Sequence, residues 1–366
     1  MAPPVEDGKT WAQVLGRYRG TSTGRSIFEL LVTVVPFVGL WGLMWAALAI
    51  GYWLCLLLAV PTAGFLVRLF IIQHDCGHGA FFRRRSSNDC VGRIIGTVTL
   101  IPYDFWRRKH AMHHATVGNL DRRGAGGINT RTVNEYLAMR PIARLGYRIF
   151  RHPVVMFGLV PAYLFLLHHR LPIGLMRGSR KPWCSTMGTT ATIAVVVVLM
   201  AKLIGIRPFL LVDGPVVLMA ASVGMWFFYV QHQFEHTRWG RDRDWDLRDT
   251  ALYGSSNYEL PSVLAWFTGN VGVHHVHHLC SRIPFYRLAR VLDDHPQLAS
   301  IGRLHFAQSL HCSTLALWDE RQKRLISFRE LRPRSARPLL HPSKSCAATA
   351  GPAAQSFRPR DSGGNG

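Results

Sequence analysis

The chain has 366 residues, of which 48% are hydrophobic, and a formal net charge of +22 with histidine counted as neutral. Such a charge would suit a nucleic-acid-binding protein, but the basic residues flank long apolar segments, and no zinc-finger, RRM or homeodomain pattern accompanies them. Composition and charge therefore argue against a nucleic-acid partner and favour a protein whose basic residues meet anionic lipid headgroups.

Two long apolar stretches predict four membrane-spanning helices. No charged residue occurs between Leu30 and Val67, which is long enough for two spans of about 20 residues with a turn near Gly51. A second stretch runs from Met187 to Val230 and is broken near residues 205–208. We predict an all-α integral membrane protein with two helical hairpins, interface helices and a cytoplasmic helical cap. The predicted spans lie at about 30–50, 54–72, 187–205 and 209–230.

The remaining segments are assigned by length and polarity. Pro153 to Leu167 is apolar but only about 15 residues long, too short for a straight span, so we interpret it as a re-entrant or interface-lying helix. Residues 1–26 form a polar N-terminus, predicted to be cytoplasmic, and 331–366 are rich in Pro, Ser, Ala, Gly and Arg and are predicted to be disordered. Residues 27–330 then form the functional domain.

Three short clusters hold half of the 18 histidines. They are His74-Asp-Cys-Gly-His78, His110-Ala-Met-His113-His114 and His274-His275-Val-His277-His278. Residues three and four apart share a helical face, so each cluster would present its imidazoles together, as ligands of a metal do. An even number of spans places all three clusters on one side of the membrane. The arginine-rich segment from Gln73 to Arg151 indicates that this side is the cytoplasm.

The number of imidazoles predicts two metal ions. A zinc ion takes three or four protein ligands, and the clusters offer eight or more. Imidazole suits zinc, copper, iron and nickel alike, so ligand type alone does not choose the metal. The sequence contains no Glu-x-x-His, which excludes the carboxylate-bridged di-iron bundles. An all-histidine site beside a membrane instead indicates a redox centre that activates oxygen against an unactivated C–H bond.

The clusters and their neighbours resemble the membrane fatty acid desaturases, most closely the bacterial and plant Δ12 (omega-6) type. The resemblance covers about residues 27 to 330. Besides the clusters it rests on Gly79-Ala-Phe-Phe82, Gln231-His-Gln-Phe-Glu235, Trp266-Phe-Thr-Gly-Asn270 and Ile283-Pro-x-Tyr286. Residues 125–131 and Arg238 depart from the expected pattern, which bears on substrate fit and carrier docking more than on the ligands.

The resemblance implies a di-iron centre and its ligand set. The ligands would be His74, His78, His110, His113, His114, His274, His277 and His278, with His232 as a ninth. His236, one turn after His232, is a weaker candidate. His275 would point away from the ligand face, and Asp75 could accept the free ring N–H of a ligand and fix its tautomer.

The implied activity is the introduction of a cis double bond, at Δ12 of a monounsaturated acyl chain, in a bacterial inner membrane. It would use O2 and two electrons from a small carrier such as ferredoxin or cytochrome b5, with the acyl group on a lipid, coenzyme A or a carrier protein. Two alternatives stay open. A hydroxylase or ketolase of the same scaffold, acting on an alkane, a carotenoid or a fatty acid, would share the clusters but insert oxygen. A non-enzymatic metal-binding membrane protein would need polar groups within its spans.

Overall fold

The computed structural model describes residues 8–123, 127–171 and 180–331. The predicted disordered tail lies outside these residues beyond Leu331, as do residues 1–7 of the polar N-terminus. Helices dominate the described residues. In chain order they are α1 (Gly8–Val14), α2 (Thr23–Ile50), α3 (Tyr52–His78), α4 (Arg85–Val98), α5 (Tyr103–Thr116), α6 (Val133–Ala138), α7 (Pro141–Phe150), α8 (Val160–Leu166), α9 (Arg180–Leu203), α10 (Ile206–Val230), α11 (Leu247–Tyr253), α12 (Ser262–Phe267), α13 (His274–Leu279), α14 (Leu288–Asp294), α15 (Pro296–Ala299), α16 (Phe306–Cys312) and α17 (Phe328–Leu331).

Four helices in the described part of the chain, α2, α3, α9 and α10, are long and apolar enough to cross a membrane. They follow one another as two hairpins that turn at Gly51 and Gly205, and α3 packs against both α2 and α10. The prediction of four apolar spanning helices is confirmed. The helices are longer than the predicted spans because hydropathy marks only the apolar part of a helix, whereas backbone hydrogen bonding continues through polar residues. As a result, α3 runs without a break from the membrane segment to His78.

The segment predicted to lie at the interface is bent. Val155–Leu159 is π-helical and leads into α8. The helical segment Val155–Arg170 makes an angle of 62° with α7, so the bend lies between Phe150 and Val155. Such a bend is the geometry of a broken span or of a re-entrant segment, so the placement of Pro153 to Leu167 at the interface stays a prediction.

In the described part of the chain, five short strands add to the helical fold. They are β1 (Arg131–Thr132), β2 (Asn257–Glu259), β3 (Arg303–His305), β4 (Leu315–Asp319) and β5 (Arg324–Ser327). One sheet has the order β1-β4-β5, with β1 parallel to β4 and β4 antiparallel to β5, and β2 pairs with β3 in parallel. These strands were not predicted, because two to five residues are too few to show the alternation of apolar and polar residues that marks a strand.

The largest hydrophobic core joins the membrane helices to the cap. It contains Met44 of α2, Leu69 and Ile72 of α3, Val276 of α13 and Phe285 after it, each at most 3% exposed. Because one core includes residues from both regions, the helices that carry the first and third histidine clusters are held against each other by apolar packing.

A buried ion pair also links the membrane helices to the cap. Glu29 of α2 and Arg68 of α3 are 2% and 1% exposed and form a salt bridge. Arg68 also donates to the backbone carbonyl of Trp266 in α12, and its guanidinium lies 3.9 Å from the centre of the Trp266 ring. Charges buried this deeply are stable only when they are paired and hydrogen-bonded.

Replacing Glu29 with glutamine should leave the Arg68 guanidinium buried without a counter-charge and lower the free energy of unfolding by about 3–5 kcal/mol. Thermal unfolding in detergent would show this as a lower transition midpoint. The double variant Glu29→Gln/Arg68→Met should recover part of the loss, because the unpaired charge is then absent. A Glu29→Gln variant that unfolds at the wild-type temperature would contradict the prediction.

Candidate metal centre

Three helices present the histidine clusters to one region. His74 and His78 occupy the last turns of α3, which ends at Gly79 in the left-handed conformation (φ +69°). Glycine adopts this conformation without steric cost, so the chain can turn away directly after the last imidazole. The second cluster occupies the C-terminal half of α5, and the third forms most of the short helix α13.

The nine expected ligands fall into two groups. In each group one ligand atom per residue lies within 4.8 Å of all the others. The first group has five members, His74, His78, His110, His114 and His277, and the second has four, His113, His232, His274 and His278. His232 follows the end of α10 directly and is the only member of either group from outside the three clusters. The structure thus brings together every residue of the expected ligand set.

Distances between ring nitrogens show that each group suits one metal ion. Two nitrogens bound at about 2.1 Å to one ion are about 3.0 Å apart when their bonds are perpendicular, and about 3.4 Å apart at a tetrahedral angle. In the first group, Nε2 of His110 lies 3.1 Å from Nε2 of His74 and 3.0 Å from Nε2 of His114. The Nε2 atoms of His114 and His277 are 3.1 Å apart. In the second group, the Nε2 distances are 3.0 Å for His113–His232 and 3.1 Å for His232–His274 and His274–His278. The separations therefore match adjacent ligands at near-right angles.

Hydrogen bonds behind two of the rings direct a lone pair into each group. The Nδ1–H of His74 donates to Oδ1 of Asp75 at 3.3 Å, and the Nδ1–H of His232 donates to the carbonyl of Gly254 at 3.3 Å. Oδ2 of Asp75 in turn accepts the backbone N–H of Phe285 at 2.7 Å. With Nδ1 protonated, Nε2 is the unprotonated nitrogen that can bind a metal.

Burial keeps the imidazoles neutral. Loss of solvation lowers the pKa of His232 to about 4. Outside the spanning helices, desolvation followed by the proximity of the other rings holds the pKa well below its usual value for His110, His113, His114, His274, His277 and His278. Neutral imidazole is the form that binds metal ions, so the site needs no deprotonation near pH 7.

Two of the weaker candidates lie outside both groups. His275 is buried, but its Nε2–H donates to the carbonyl of Leu298 in α15 at 3.0 Å, so the ring links α13 to α15. His236 is exposed and does not approach either group. The helical spacing in the sequence already predicted that His275 points away from its neighbours. His236 was a candidate because it lies four residues after His232, but this spacing brings two side chains together only in a helix, and the segment is not helical.

Some neighbours of the site could not be identified as such from the sequence. The ring of Trp106 stacks on His110 with ring centroids 4.6 Å apart, and the ring of Phe228 lies beside His113 with centroids 5.2 Å apart. The carbonyl of Gly254 and the N–H of Phe285 are backbone groups, which no residue type reveals. Only Trp106 had a signal, since it lies one helical turn before His110 and so shares its face.

A small cavity of about 40 Å³ adjoins the second group. His113 and His232 form one wall, and Ile128, Phe228 and Trp239 give it an apolar side. The remaining lining residues are Thr116, Val117, Gly118, Asn119, Arg123, Gly127 and Gln233. A cavity needs only about 10–15 Å³ to hold a water molecule, so this one admits a few small atoms beside the imidazoles.

Comparison with known proteins shows which family the chain resembles. A family model described as "Fatty acid desaturase" matches residues 50–308, a range that contains all nine grouped histidines. A protein named "Fatty acid desaturase" from Bacillus subtilis is 42% identical over 310 residues, which are 85% of this chain and 88% of that protein. The sn-1 oleoyl-lipid 12-desaturase of Synechocystis sp. is 26% identical over 259 residues, or 66% of this chain and 70% of the relative. An sn-1 acyl-lipid omega-3 desaturase (ferredoxin) of the same organism is 26% identical over 244 residues, or 62% of each chain.

His277 and His275 make a matched pair for testing the metal centre, since both are buried on α13 and only His277 belongs to a group. His277→Ala should lower the metal-to-protein ratio after dialysis by about half, because one of the two groups loses a nitrogen donor. His275→Ala should keep the wild-type ratio but lower the free energy of unfolding by about 1–3 kcal/mol, because the buried Leu298 carbonyl loses its donor. Mass-spectrometric metal analysis and thermal unfolding measure the two effects. Equal metal loss in both variants would contradict the assignment.

Proposed function

Because the chain belongs to the fatty acid desaturase family and is thus an oxidoreductase, we propose that it introduces a cis double bond into a fatty acyl chain. The observation that carries this proposal is the convergence of five and four neutral imidazoles at two adjacent points. The balanced reaction converts one CH2–CH2 pair, one O2, two electrons and two protons into one CH=CH pair and two water molecules.

We assign one iron ion to each histidine group. The first would be held by His74, His78, His110, His114 and His277, and the second by His113, His232, His274 and His278. The five nitrogens of the first group exceed the four ligands of tetrahedral zinc, and the reaction requires a redox-active metal. When bound, the two ions supply the chemistry that activates O2. Asp75 and the Gly254 carbonyl hold His74 and His232 in the tautomer that offers Nε2.

The cavity beside the second group is the proposed position of the reacting methylenes. Ile128 and Phe228 offer apolar contacts to an acyl chain, and His113 and His232 line the same cavity. The neighbouring backbone is closely packed, since a Cβ at Gly118 would lie 2.0 Å from a methyl group of Thr250.

The substrate and the location follow from the membrane helices and the relatives. Two relatives act, by their names, on sn-1 acyl lipids. We therefore propose an acyl chain esterified to a lipid as the substrate, with insertion at Δ12 of a monounsaturated chain as in the sn-1 oleoyl-lipid 12-desaturase. The enzyme would lie in the bacterial inner membrane with the histidine groups on the cytoplasmic side, as the arginine-rich segment from Gln73 to Arg151 favours.

Expression in a host that makes oleate but no linoleate tests reaction type and position together. Gas chromatography-mass spectrometry with double-bond location should detect linoleate. His113→Ala should abolish the product while the protein still inserts into the membrane, because the second group loses a ligand. A hydroxylated or keto product without a new double bond would overturn desaturation in favour of the hydroxylase or ketolase alternative. A new double bond elsewhere in the chain would reject Δ12 alone.

Filling the cavity should stop the reaction without removing the metal. Ile128→Trp places a large ring where we locate the methylenes, and product formation should fall at least about tenfold, which corresponds to roughly 1.4 kcal/mol. Ile142→Trp is the matched control, because Ile142 is 73% exposed on α7. Fatty acid profiling and metal analysis of both variants give the readouts. Wild-type product levels in Ile128→Trp would place the substrate elsewhere.

A further inference from the structure

A second, larger cavity opens next to the first histidine group. It is a cleft of about 400 Å³ between the end of α3 and helices α4, α5 and α9. Its described lining residues are Gly77, Arg85, Asp104, Arg107, Arg108, Ala111, Lys181 and Pro182. The proposed reaction makes no use of this basic cleft.

The basic cleft has an excess of positive charge. Four of its lining residues are basic and one is acidic, a net charge of +3. Two carboxylates pair with its arginines, since Asp89 lies 3.1 Å from Arg85 and 2.9 Å from Arg107, and Asp104 lies 3.6 Å from Arg107. With Asp89 included the net charge is +2. Arg108 is exposed and has no carboxylate partner among the described residues. The cleft therefore presents a positive surface that attracts an acidic partner.

The floor of the basic cleft lies close to the first histidine group. Gly77 precedes His78, and Ala111 follows His110. Trp106 lies directly against Gly77, where a Cβ would be 2.8 Å from the indole ring, and the same indole stacks on His110 with centroids 4.6 Å apart. A partner in the cleft is thus separated from a metal-binding imidazole by one residue and one aromatic ring.

We propose that the basic cleft is the docking site of an acidic one-electron carrier protein. This inference rests on the proposed function, which consumes two electrons for each double bond. Each docking oxidises one reduced carrier by one electron, so two carriers are oxidised per turnover. The short path from the cleft through Gly77 and Trp106 to His110 suits electron delivery to the first group, while the substrate cavity adjoins the second group.

An anionic lipid headgroup is the competing occupant, because Lys181 lies in the first turn of the spanning helix α9. The position of the cleft favours the carrier. A headgroup there would lie beside the first group, whereas the cavity assigned to the methylenes opens at the second. Docking at the first group leaves the route to the second group free for the acyl chain.

The test is a binding measurement on the full-length, iron-loaded protein in nanodiscs of zwitterionic phosphatidylcholine. The probes are an acidic [2Fe–2S] ferredoxin and the soluble domain of an acidic cytochrome b5. Arg108→Glu should weaken binding of at least one probe by about tenfold at low ionic strength, and added salt should reduce the difference. Arg108→Lys should stay within about threefold of the wild type, because the charge is retained. Arg321→Glu, at an exposed turn between β4 and β5, makes the same charge change away from the cleft and should leave binding unchanged.

Stopped-flow reduction of the iron-loaded protein by the reduced carrier gives a second readout, and its rate should fall in parallel with affinity in Arg108→Glu. Docking is overturned if neither probe binds the wild type in a salt-sensitive manner, or if Arg108→Glu and Arg321→Glu bind alike. It is also overturned if, in a separate set of nanodiscs that contain phosphatidylglycerol, Arg108→Glu loses bound phosphatidylglycerol by native mass spectrometry while its carrier affinity stays at the wild-type value, because the cleft is then a headgroup site. Affinity does not depend on turnover, so carrier binding through the cleft without alkene formation would contradict the proposed function and support docking alone.

Discussion

The close approach of nine neutral imidazoles is the constraint on which the rest of the structure depends. Nε2 atoms that each offer a lone pair repel one another at 3.0–3.1 Å unless a cation lies between them. The surrounding protein must therefore hold nine neutral rings in place. It does so through one hydrophobic core shared by membrane helices and cap, through the Glu29–Arg68 ion pair, and through hydrogen bonds behind individual rings. The contacts that hold the spanning helices to the cap are therefore also the contacts that hold the imidazoles in place.

Much of this arrangement could be predicted from the sequence because it depends on helical periodicity. The spacing of His110, His113 and His114 already requires a shared face, and uncharged stretches of about 20 residues already require spans. The span boundaries were less predictable, because hydrophobicity measures contact with lipid and not the extent of a helix. Helix α3 shows the difference, since the apolar span and the turns that carry His74 and His78 are one continuous helix.

The division of the histidines into two groups could not be predicted from the spacing. His113 and His114 are neighbours in sequence, yet they belong to different groups, and α13 likewise contributes His277 to one group and His274 and His278 to the other. Which ring faces which group depends on how α5 and α13 are rotated against each other, and that is set by tertiary packing. His232 lacks a second histidine at helical spacing within its group, so only the surrounding motif indicated it. β1 and β2 escaped prediction for the same reason, because their partners β4 and β3 are distant in the chain, whereas β4 and β5 are neighbours that are too short to show an alternation of apolar and polar residues.

The sharing of α5 and α13 between both groups has a consequence for how such a protein can diverge. Deleting or inserting one residue in either helix rotates everything beyond it by about 100°, which would displace ligands of both groups at once. Substitutions can accumulate on the outer faces of these helices, but changes in their length cannot. The lengths of α5 and α13 are thereby constrained, because each helix carries residues of both histidine groups.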